Sequence, residues 1–308
     1  MTVEYTFKAL TDVWTGNIDR KNNKCISAGL IGSIRWWFEV LVRGLDGQAC
    51  DPSDTQCKDK KHCVVCELFG CTGWARKFRF EVLDEKNDVL LEPIKKDKKF
   101  ILRFTELRPI CNEELTLLDA TLRLIAEYGA VGGKTVLKPS DEPDRAGREQ
   151  HKDYGLIKLE KIPFPEKSDI GQLKAYLSKW REVNHNGFEW ASLRNFWYVT
   201  GTYLTRKDNN SSTFNKVLGR KEPKHQGQQI TNGNNVINQW LAGKQQESKK
   251  VFSFKNPVRT FGFVNPKLKI DFSEMKRRLT TVWPDFKDEQ FIEGHTILDE
   301  LFGKEKSL

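Results

Sequence analysis

The sequence predicts an α+β protein made of tandem ferredoxin-like (RRM-like, βαββαβ) domains, with a cysteine-rich zinc loop in the first domain. Two observations lead to this fold class. Over the first 165 residues, segments with alternating apolar residues and segments with a helical apolar stripe follow one another in the order β-α-β-β-α-β. The 308-residue chain also contains 19 Phe and 9 Trp, whereas disordered chains are poor in aromatic residues. A chain of this length accommodates two domains.

In the first predicted domain, residues 1–165, hydrophobic periodicity predicts the strands and helices. Apolar residues alternate with polar ones in three predicted strands, which centre on 3–9, 78–82 and 100–104. A helix is predicted within 29–45, with its N-terminus near Gly32 and Ser33. A second amphipathic helix is predicted from four residues at helical spacing and ends near Gly129: Leu115, Leu118, Leu122 and Ile125. Residues 154–162 complete the pattern as a fourth strand.

The second predicted domain, residues 166–308, has a weaker pattern and is expected to be a divergent ferredoxin-like or helical domain. We predict helices at 170–183 and 189–199 and a C-terminal helix near 288–302. Residues 251–264 contain strand-like pieces. The stretch 206–250 is rich in Asn, Gln, Gly and Lys and is expected to be a polar insertion.

The composition favours an anionic partner. Lys and Arg number 51 against 42 Asp and Glu, which gives a net charge of +9. Nucleic acid is the commonest partner of such a chain, and a generic basic surface is the alternative. The N-terminal sequence lacks the pattern of a signal peptide, and no apolar stretch reaches the length of a membrane span. We therefore expect a cytoplasmic protein that does not contact a membrane.

The cysteines are concentrated in one polar loop. Their spacing is Cys50-x6-Cys57-x5-Cys63-x2-Cys66. Four thiolates can close a tetrahedral zinc site, and the bound metal would supply folding energy that a polar loop lacks. We predict structural zinc on these four cysteines, with His62 or Cys71 as possible replacements for one of them. The alternative is a set of free reduced cysteines in which the CxxC pair is redox-active.

Four segments combine basic residues with aromatic residues or glycines. They are the loop after the first strand, the segment GSIRWW, the segment CTGWARKFRF and the glycine loop GAVGGKT. Small residues at a helix N-terminus attract phosphate, and exposed tryptophans stack on bases. The alternatives are tryptophans that belong to the core, as we expect for Trp37, and basic residues that are simply solvated.

The glycine loop at 129–135 is not a P-loop. That motif needs four residues between its first glycine and the Gly-Lys pair, and here there are three. A helix also precedes the loop, whereas a P-loop follows a strand. The glycines could still let phosphates approach the backbone, and a helix stop followed by a flexible turn is the alternative.

Few residues suggest catalysis. The sequence contains neither a GxSxG nor an HExxH motif, and its five histidines are scattered. An RNA-cleaving site could use Asp19, or His151 together with Lys152 or Tyr154. A lone acid or histidine in a polar loop is more often solvated, so we expect a chain without catalytic residues and keep endoribonuclease activity as the alternative.

The order LTDVWTGNIDRK, GLIGSIRWWFEVLVRGL and CVVCELFGCTGWARKF resembles the RAMP superfamily of CRISPR-associated proteins, and within it subunits of the type III-B Cmr effector complexes. The resemblance covers roughly residues 1–160. It implies ferredoxin-like domains, a place near the 3′ end of a CRISPR RNA, and RNA contacts at the helix around Ser33 and at Gly132 and Gly133. It also implies a zinc-binding loop at the CxxC before Leu68. The family's glycine loop usually carries arginines and serines, whereas this chain has one lysine and one threonine there.

We therefore expect a non-catalytic RNA-binding subunit of an RNA-guided antiviral complex, whose partners are CRISPR RNA, target RNA and other subunits. A protein–protein adaptor that uses its aromatic residues as interface anchors is a further alternative. The residues expected to bind RNA are Trp14, Arg20, Lys21, Lys24, Ser33, Arg35, Trp36, Arg43, Trp74, Arg76, Lys77, Gly132, Gly133, Lys134 and Thr135.

Overall fold

The computed structural model describes residues 1–16, 21–51, 57–133, 139–163, 169–183, 187–208, 211–220, 235–243 and 247–303. The chain forms two compact units. The first unit comprises Met1–Thr135, Tyr154–Arg194 and His295–Leu308, and the second comprises Val136–Asp153 and Asn195–Gly294. The predicted division into domains at 1–165 and 166–308 stays a prediction.

Eight strands and nine α-helices are assigned in the described residues. The strands are β1 (Thr2–Ala9), β2 (Phe78–Leu83), β3 (Lys99–Glu106), β4 (Ile157–Lys161), β5 (Phe196–Val199), β6 (Val251–Lys255), β7 (Val258–Phe263) and β8 (Phe291–Glu293). The helices are α1 (Ser27–Gly44), α2 (Val64–Phe69), α3 (Asn112–Glu127), α4 (Pro143–Ala146), α5 (Ile170–Leu177), α6 (Thr213–Val217), α7 (Val236–Ala242), α8 (Phe272–Thr280) and α9 (Gly294–Phe302).

The first unit contains the predicted ferredoxin-like fold. Its antiparallel sheet has the strand order β2-β3-β1-β4, with β1 and β3 in the middle. Helix α1 contacts β2, α3 contacts β4, and the two helices contact each other, so both lie against the sheet. The short helix α2 is inserted after α1, within the cysteine-rich segment. The predicted order of four strands and two helices is confirmed.

The alternation read from the sequence decides which face of this sheet is buried. Along β1 every second residue is buried, and the same holds for the first residues of β2 and for the middle of β3. Phe104 lies at the centre of the buried face. Its ring centroid is 5.1 Å from that of Phe78, 5.1 Å from that of Phe80 and 6.1 Å from that of Tyr5.

Helix α1 starts earlier than its sequence suggests. It begins at Ser27, so Gly32 and Ser33 lie in its second turn and the N-terminus predicted there was wrong. No capping side chain bonds to its first turn, so the usual sequence signal for a helix start is absent there. Neither α1 nor any other helix in the described ranges is long and apolar enough to cross a bilayer.

The second unit repeats the fold of the first. Its sheet has the order β6-β7-β5-β8, which matches the first sheet when β5, β6, β7 and β8 stand for β1, β2, β3 and β4. Strand pairing is antiparallel throughout. The core of this unit is formed around Trp197, Phe214 and Met275, all of which are fully buried. The expectation of tandem ferredoxin-like folds is therefore confirmed.

The predicted elements of the second half are partly wrong. Residues 189–199, expected to be helical, instead contain a single 3₁₀ turn at Leu193–Asn195 followed by β5. The reason is that β5 has four residues, FWYV, of which three are buried, so it shows no alternation. The predicted helix at 170–183 is shorter, and α8 was not predicted. The strands at 251–264 are confirmed, and α6 and α7 lie within the expected polar insertion. The C-terminal helix predicted near 288–302 covers only Gly294–Phe302, because Phe291–Glu293 form β8, which was not predicted.

Truncation of the buried face of the first sheet should destabilise the first unit. Phe104 is 1 % exposed, and replacing a buried Phe with Ala costs about 3–5 kcal/mol. We expect Phe104→Ala to lower the free energy of unfolding by this amount in denaturant titrations followed by circular dichroism. Thr105→Ala, on the opposite face of the same strand, should change it by less than about 0.5 kcal/mol. If both variants lost the same free energy of unfolding, the assignment of Phe104 to the buried face of the sheet would be wrong.

Candidate nucleic-acid interface and metal centre

Three segments of the first unit meet at one place, which we call the glycine junction: the loop Val13–Thr15 after β1, the first two turns of α1, and Gly132–Gly133 after α3. The N–H of Gly132 donates to Oγ of Ser33 at 3.0 Å. The N–H of Gly133 donates to the carbonyl of Trp14 at 2.8 Å. Segments that the sequence predicted separately as RNA-binding therefore lie together.

Glycine is required at two points of this junction. Gly132 has a φ of +111°, and a Cβ there would lie 2.6 Å from the carbonyl oxygen of Trp14. A Cβ on Gly29, in the first turn of α1, would lie 2.5 Å from the carbonyl oxygen of Thr15. Any side chain at these positions would push the segments apart, so the two glycines allow the close backbone approach.

The loop after β1 is held by two polar residues that the sequence analysis did not single out. Oγ1 of Thr15 donates to the carbonyl of Lys24 at 3.0 Å and accepts the N–H of Ile26 at 2.9 Å. The side-chain amide of Asn22 donates to the carbonyl of Val13 at 3.2 Å. These bonds fold the loop back on α1, and Lys21 and Lys24 are left exposed on it. Nothing in the sequence distinguishes Thr15 and Asn22 from other polar loop residues.

The tryptophans near the junction are largely packed. Trp14 is 8 % exposed and makes an edge contact with Tyr154, with 5.3 Å between ring centroids. Trp36 is half-buried and packs edge-on against Trp37 at 4.9 Å. Trp37 is buried, as expected, and its Nε1 donates to the carbonyl of Ala130 at 2.8 Å.

The four cysteines predicted as metal ligands come together. The Sγ atoms of Cys50, Cys57, Cys63 and Cys66 all lie within 4.8 Å of one another, and all four residues are buried. The Sγ atoms of Cys50 and Cys66 are 3.4 Å apart. Tetrahedral coordination at about 2.3 Å per metal–sulfur bond needs sulfurs roughly 3.8 Å apart. The cluster therefore could hold a metal ion.

The two alternative ligands lie outside this cluster. Both ring nitrogens of His62 are engaged: Nδ1 contacts the carbonyl of Asp59, and Nε2 lies 2.7 Å from Oε2 of Glu67. Cys71 is half-buried, and its Sγ contacts the carbonyl of Thr72 at 3.8 Å. The backbone also helps to hold the cysteine cluster together. Cys63 directly precedes α2, and its N–H donates to Sγ of Cys57 at 3.3 Å.

Two arginines predicted as RNA contacts face the cysteine cluster instead of solvent. Arg35 donates to Sγ of Cys66 at 3.2 Å, to the carbonyl of Gly70 at 2.8 Å and to Glu39 at 3.1 Å. Burial acts to lower the pKa of Arg35, but the thiolate charge of Cys66 and the carboxylate of Glu39 outweigh it and raise the pKa. Arg43 is 7 % exposed, and its guanidinium donates to the carbonyl of Ala191 at 3.1 Å.

Glu39 lies between the two guanidiniums. Burial raises the pKa of Glu39 to about 7, although Arg43 and Arg35 act in the opposite direction. Its carboxylate is 3.1 Å from Arg35 and 3.8 Å from Arg43. Spacing of four residues along α1 brings the three side chains to one face, which explains how one helix supplies all of them.

Lys77 also points inward. Its Nζ is 2.7 Å from Oε1 of Glu67 and 2.9 Å from Oε1 of Glu114, which in turn accepts the hydroxyl of Tyr176 at 2.9 Å. Burial acts to lower the pKa of Lys77, but the two carboxylates outweigh it and raise the pKa. Glu67 also contacts His62, so this network joins the cysteine loop to α3 and α5.

The remaining predicted residues are placed as follows. Trp74 stacks at a tilt on His62, with 4.6 Å between centroids, and the guanidinium of Arg108 lies 4.4 Å from the Trp74 ring. Arg76 is exposed. His151 is half-buried in a 3₁₀ turn. Four residues lie outside the described residues: Asp19, Arg20, Lys134 and Thr135. For every residue of the predicted set, contact with RNA stays a prediction.

Removing Lys77 should destabilise the first unit, because Glu114 is fully buried and would lose its cationic partner. Breaking such a buried pair costs about 3 kcal/mol. We expect this loss for Lys77→Ala in denaturant titrations. Lys95→Ala removes an exposed lysine that pairs with Asp12 at 3.1 Å and should leave stability nearly unchanged. A Lys77→Ala variant of wild-type stability would show that the network is not stabilising.

Residues 6–137 match the family profile of the RAMP superfamily. No curated protein sequence gives a significant match. The solved structures that are similar include Cmr1 from Pyrococcus furiosus in its apo form, with 8 % sequence identity, a TM-score of 0.47 and coverage of 96 % of this chain and 98 % of that chain.

A second similar structure is the Csm3–Csm4 subcomplex of the type III-A CRISPR-Cas interference complex. It shows 15 % identity and a TM-score of 0.28, with coverage of 59 % of this chain and 96 % of that chain. The family match spans β1 to α3 and includes the cysteine cluster and both glycines of the junction. Over residues 6–137, which are fewer than half of its 308 residues, this chain is similar to the RAMP superfamily.

Proposed function

We propose that this protein is a non-catalytic RNA-binding subunit of a CRISPR type III-B (Cmr) effector complex and corresponds to its subunit one. In this role it contacts the CRISPR RNA near its 3′ end, together with target RNA and other subunits. The match to the RAMP superfamily and the sequence segments that resemble Cmr subunits support this assignment.

The observation that carries the proposal is the glycine junction. The loop after β1, the start of α1 and the glycine loop meet there through the bonds from Gly132 to Ser33 and from Gly133 to Trp14. Gly133 is exposed at this junction, and because it has no side chain it lets a phosphate backbone approach the protein backbone closely. Lys21 and Lys24, exposed on the adjoining loop, supply positive charge, and Arg76 is exposed after the cysteine loop.

The junction binds a strand without reading its sequence. The N–H groups of Gly132 and Gly133 are engaged within the junction, so the exposed lysines contact the phosphates, whereas sequence readout needs side chains that reach base edges. In an RNA-guided complex the guide reads the target by base pairing, so shape and charge recognition suffice. Within the described residues, the hydrogen bonds that form the junction come from a serine hydroxyl and backbone groups, which provide no general base. This favours binding over cleavage.

The loop after β1 should contribute directly to RNA affinity. We expect Lys21→Ala with Lys24→Ala to weaken binding of single-stranded RNA three- to tenfold at about 0.1 M salt. Loss of two phosphate contacts should also reduce the slope of log affinity against log salt by about 1.4. Fluorescence anisotropy with the full-length chain measures both quantities.

The matched control removes the same charge elsewhere in the first unit. Lys60 and Lys86 are exposed lysines on other segments, and their double alanine variant has the same net charge as the loop variant. It should bind RNA nearly as the wild type does. If both double variants lose the same affinity, binding reflects overall charge and the junction is not the site.

We also propose that the cysteine cluster holds structural zinc. Four buried thiolates within 4.8 Å fit a closed tetrahedral site and leave no open position for a water ligand. The short α2 begins directly after Cys63 and carries Cys66, so metal binding would fix both its start and its first turn. The alternative of a redox-active CxxC pair predicts a disulfide in place of bound metal.

The zinc assignment predicts about one zinc ion per chain by elemental analysis of the purified protein. Cys63→Ser should lower the zinc content well below one per chain and reduce stability, because the cluster would lose a ligand. Cys111→Ser changes a half-buried cysteine outside the cluster and should keep the metal. The assignment would be wrong if the wild type contained no zinc, or if Cys63→Ser and Cys111→Ser lost equal amounts of zinc.

A further inference from the structure

The second unit contains a cationic cavity that none of the motifs discussed above includes. It has a volume of about 440 Å³ and is lined by Lys207, Ser211, Ser212, Thr213, Lys216, Arg220, Thr281 and Val282. We call it the cationic pocket. Its volume lies in the range of ordinary small-ligand sites. Val282 is the one apolar residue of this lining, so the pocket is built for a polar ligand.

The structure as described shows no acid that neutralises the charges of the pocket. Within the described residues, none of Lys207, Lys216 and Arg220 forms an ion pair, and no carboxylate belongs to the lining. Lys216 donates to the carbonyl of Thr281 at 3.4 Å. This differs from the nearby α8, where Arg277 and Arg278 both pair with Glu274. Three cations that share one cavity without an acid are most stable when an anion is bound.

Arg220 has the greatest unused binding capacity. Its Nη2 donates to the carbonyl of Ala242 at 3.2 Å, while its Nε is buried without a hydrogen-bond partner in the described structure. A guanidinium has five N–H donors, and within the described residues Arg220 uses one of them. Burial and the positive charge of Arg220 both lower the pKa of the neighbouring Lys249, which shows that the local field is positive.

We propose that the cationic pocket binds the phosphate group of a nucleotide or of an RNA strand. A phosphate presents several strong acceptor oxygens around one centre, which suits three convergent cations, and its geometry matches the planar fork of arginine. A single carboxylate offers two oxygens and would leave part of this charge unmatched. Phosphate binding by the pocket does not depend on the proposed function. The identification of an RNA strand as the source of the phosphate rests on it.

The first experiment measures phosphate binding to the full-length chain by isothermal titration calorimetry. Inorganic phosphate is the probe, at constant ionic strength maintained with chloride. We expect saturable binding that Lys207→Ala with Lys216→Ala weakens about tenfold, since both lysines are exposed and their removal should not disturb the fold. Lys267→Ala, which removes an exposed lysine elsewhere in the same unit, should bind as the wild type does.

Three results would contradict the proposal that the cationic pocket binds phosphate. They are no saturable phosphate binding, an equal loss of phosphate affinity in the Lys267→Ala control, and, with glutamate as a second probe, binding of glutamate as strong as that of phosphate. The last result would point to an acidic peptide as the occupant. Circular dichroism of each variant confirms that it is folded.

The second experiment identifies the source of the phosphate by competition. Displacement of inorganic phosphate by an RNA oligonucleotide that lacks terminal phosphates assigns the pocket to an RNA strand. Displacement by adenosine monophosphate alone assigns it to a mononucleotide. If neither ligand displaces inorganic phosphate, the proposal fails.

This design separates the pocket from the glycine junction. If the chain binds adenosine monophosphate in the pocket but no RNA at all, the proposed function is wrong and the proposal of a phosphate-binding pocket is supported. If RNA affinity depends on Lys21 and Lys24 but phosphate does not bind at Lys207 and Lys216, the proposed function stands and the pocket fails.

Discussion

The position of helix α1 is the constraint on which the first unit depends. Two residues that are close in sequence hold it from different sides. Oγ of Ser33 accepts the N–H of Gly132, and the guanidinium of Arg35 donates to Sγ of Cys66 and to the carbonyl of Gly70. Residues two apart point to different sides of a helix, so α1 links the glycine junction to the cysteine cluster. A change in the cluster would therefore displace the helix that forms one wall of the junction.

The proposed zinc would account for the two arginines that α1 places beside the cysteine cluster. A divalent metal with four thiolates has a net charge of about −2, and burying such a charge is costly unless cations compensate it. Arg35 and Arg43 supply two positive charges next to the cluster, and Glu39 between them keeps the guanidiniums in place. A basic residue in a family motif is thus not automatically a phosphate contact. The chemistry around it decides its role.

The sequence predicts the first unit better than the second for a physical reason. Strands β1 and β3 have one buried and one solvated face, so their alternation is visible. Strand β5 is central and short, and three of its four residues are buried, so it resembles any apolar segment. The four cysteines could be singled out by spacing alone. The inward direction of Arg35 and Lys77 could not, because it depends on Cys66, Glu67 and Glu114, whose positions only the fold establishes.

The outer face of the first sheet gives a further reason to place RNA binding at loops. RRM domains, which share this topology, stack bases on aromatic residues of an open sheet face. Here the half-exposed and exposed positions of β1 and β3 carry no aromatic residue. Charged side chains pair there instead, as Arg103 does with Glu4 at 2.6 Å and Lys8 with Asp97 at 3.1 Å. A face whose charges already neutralise each other attracts a polyanion weakly, which supports placing the proposed RNA contact at the glycine junction.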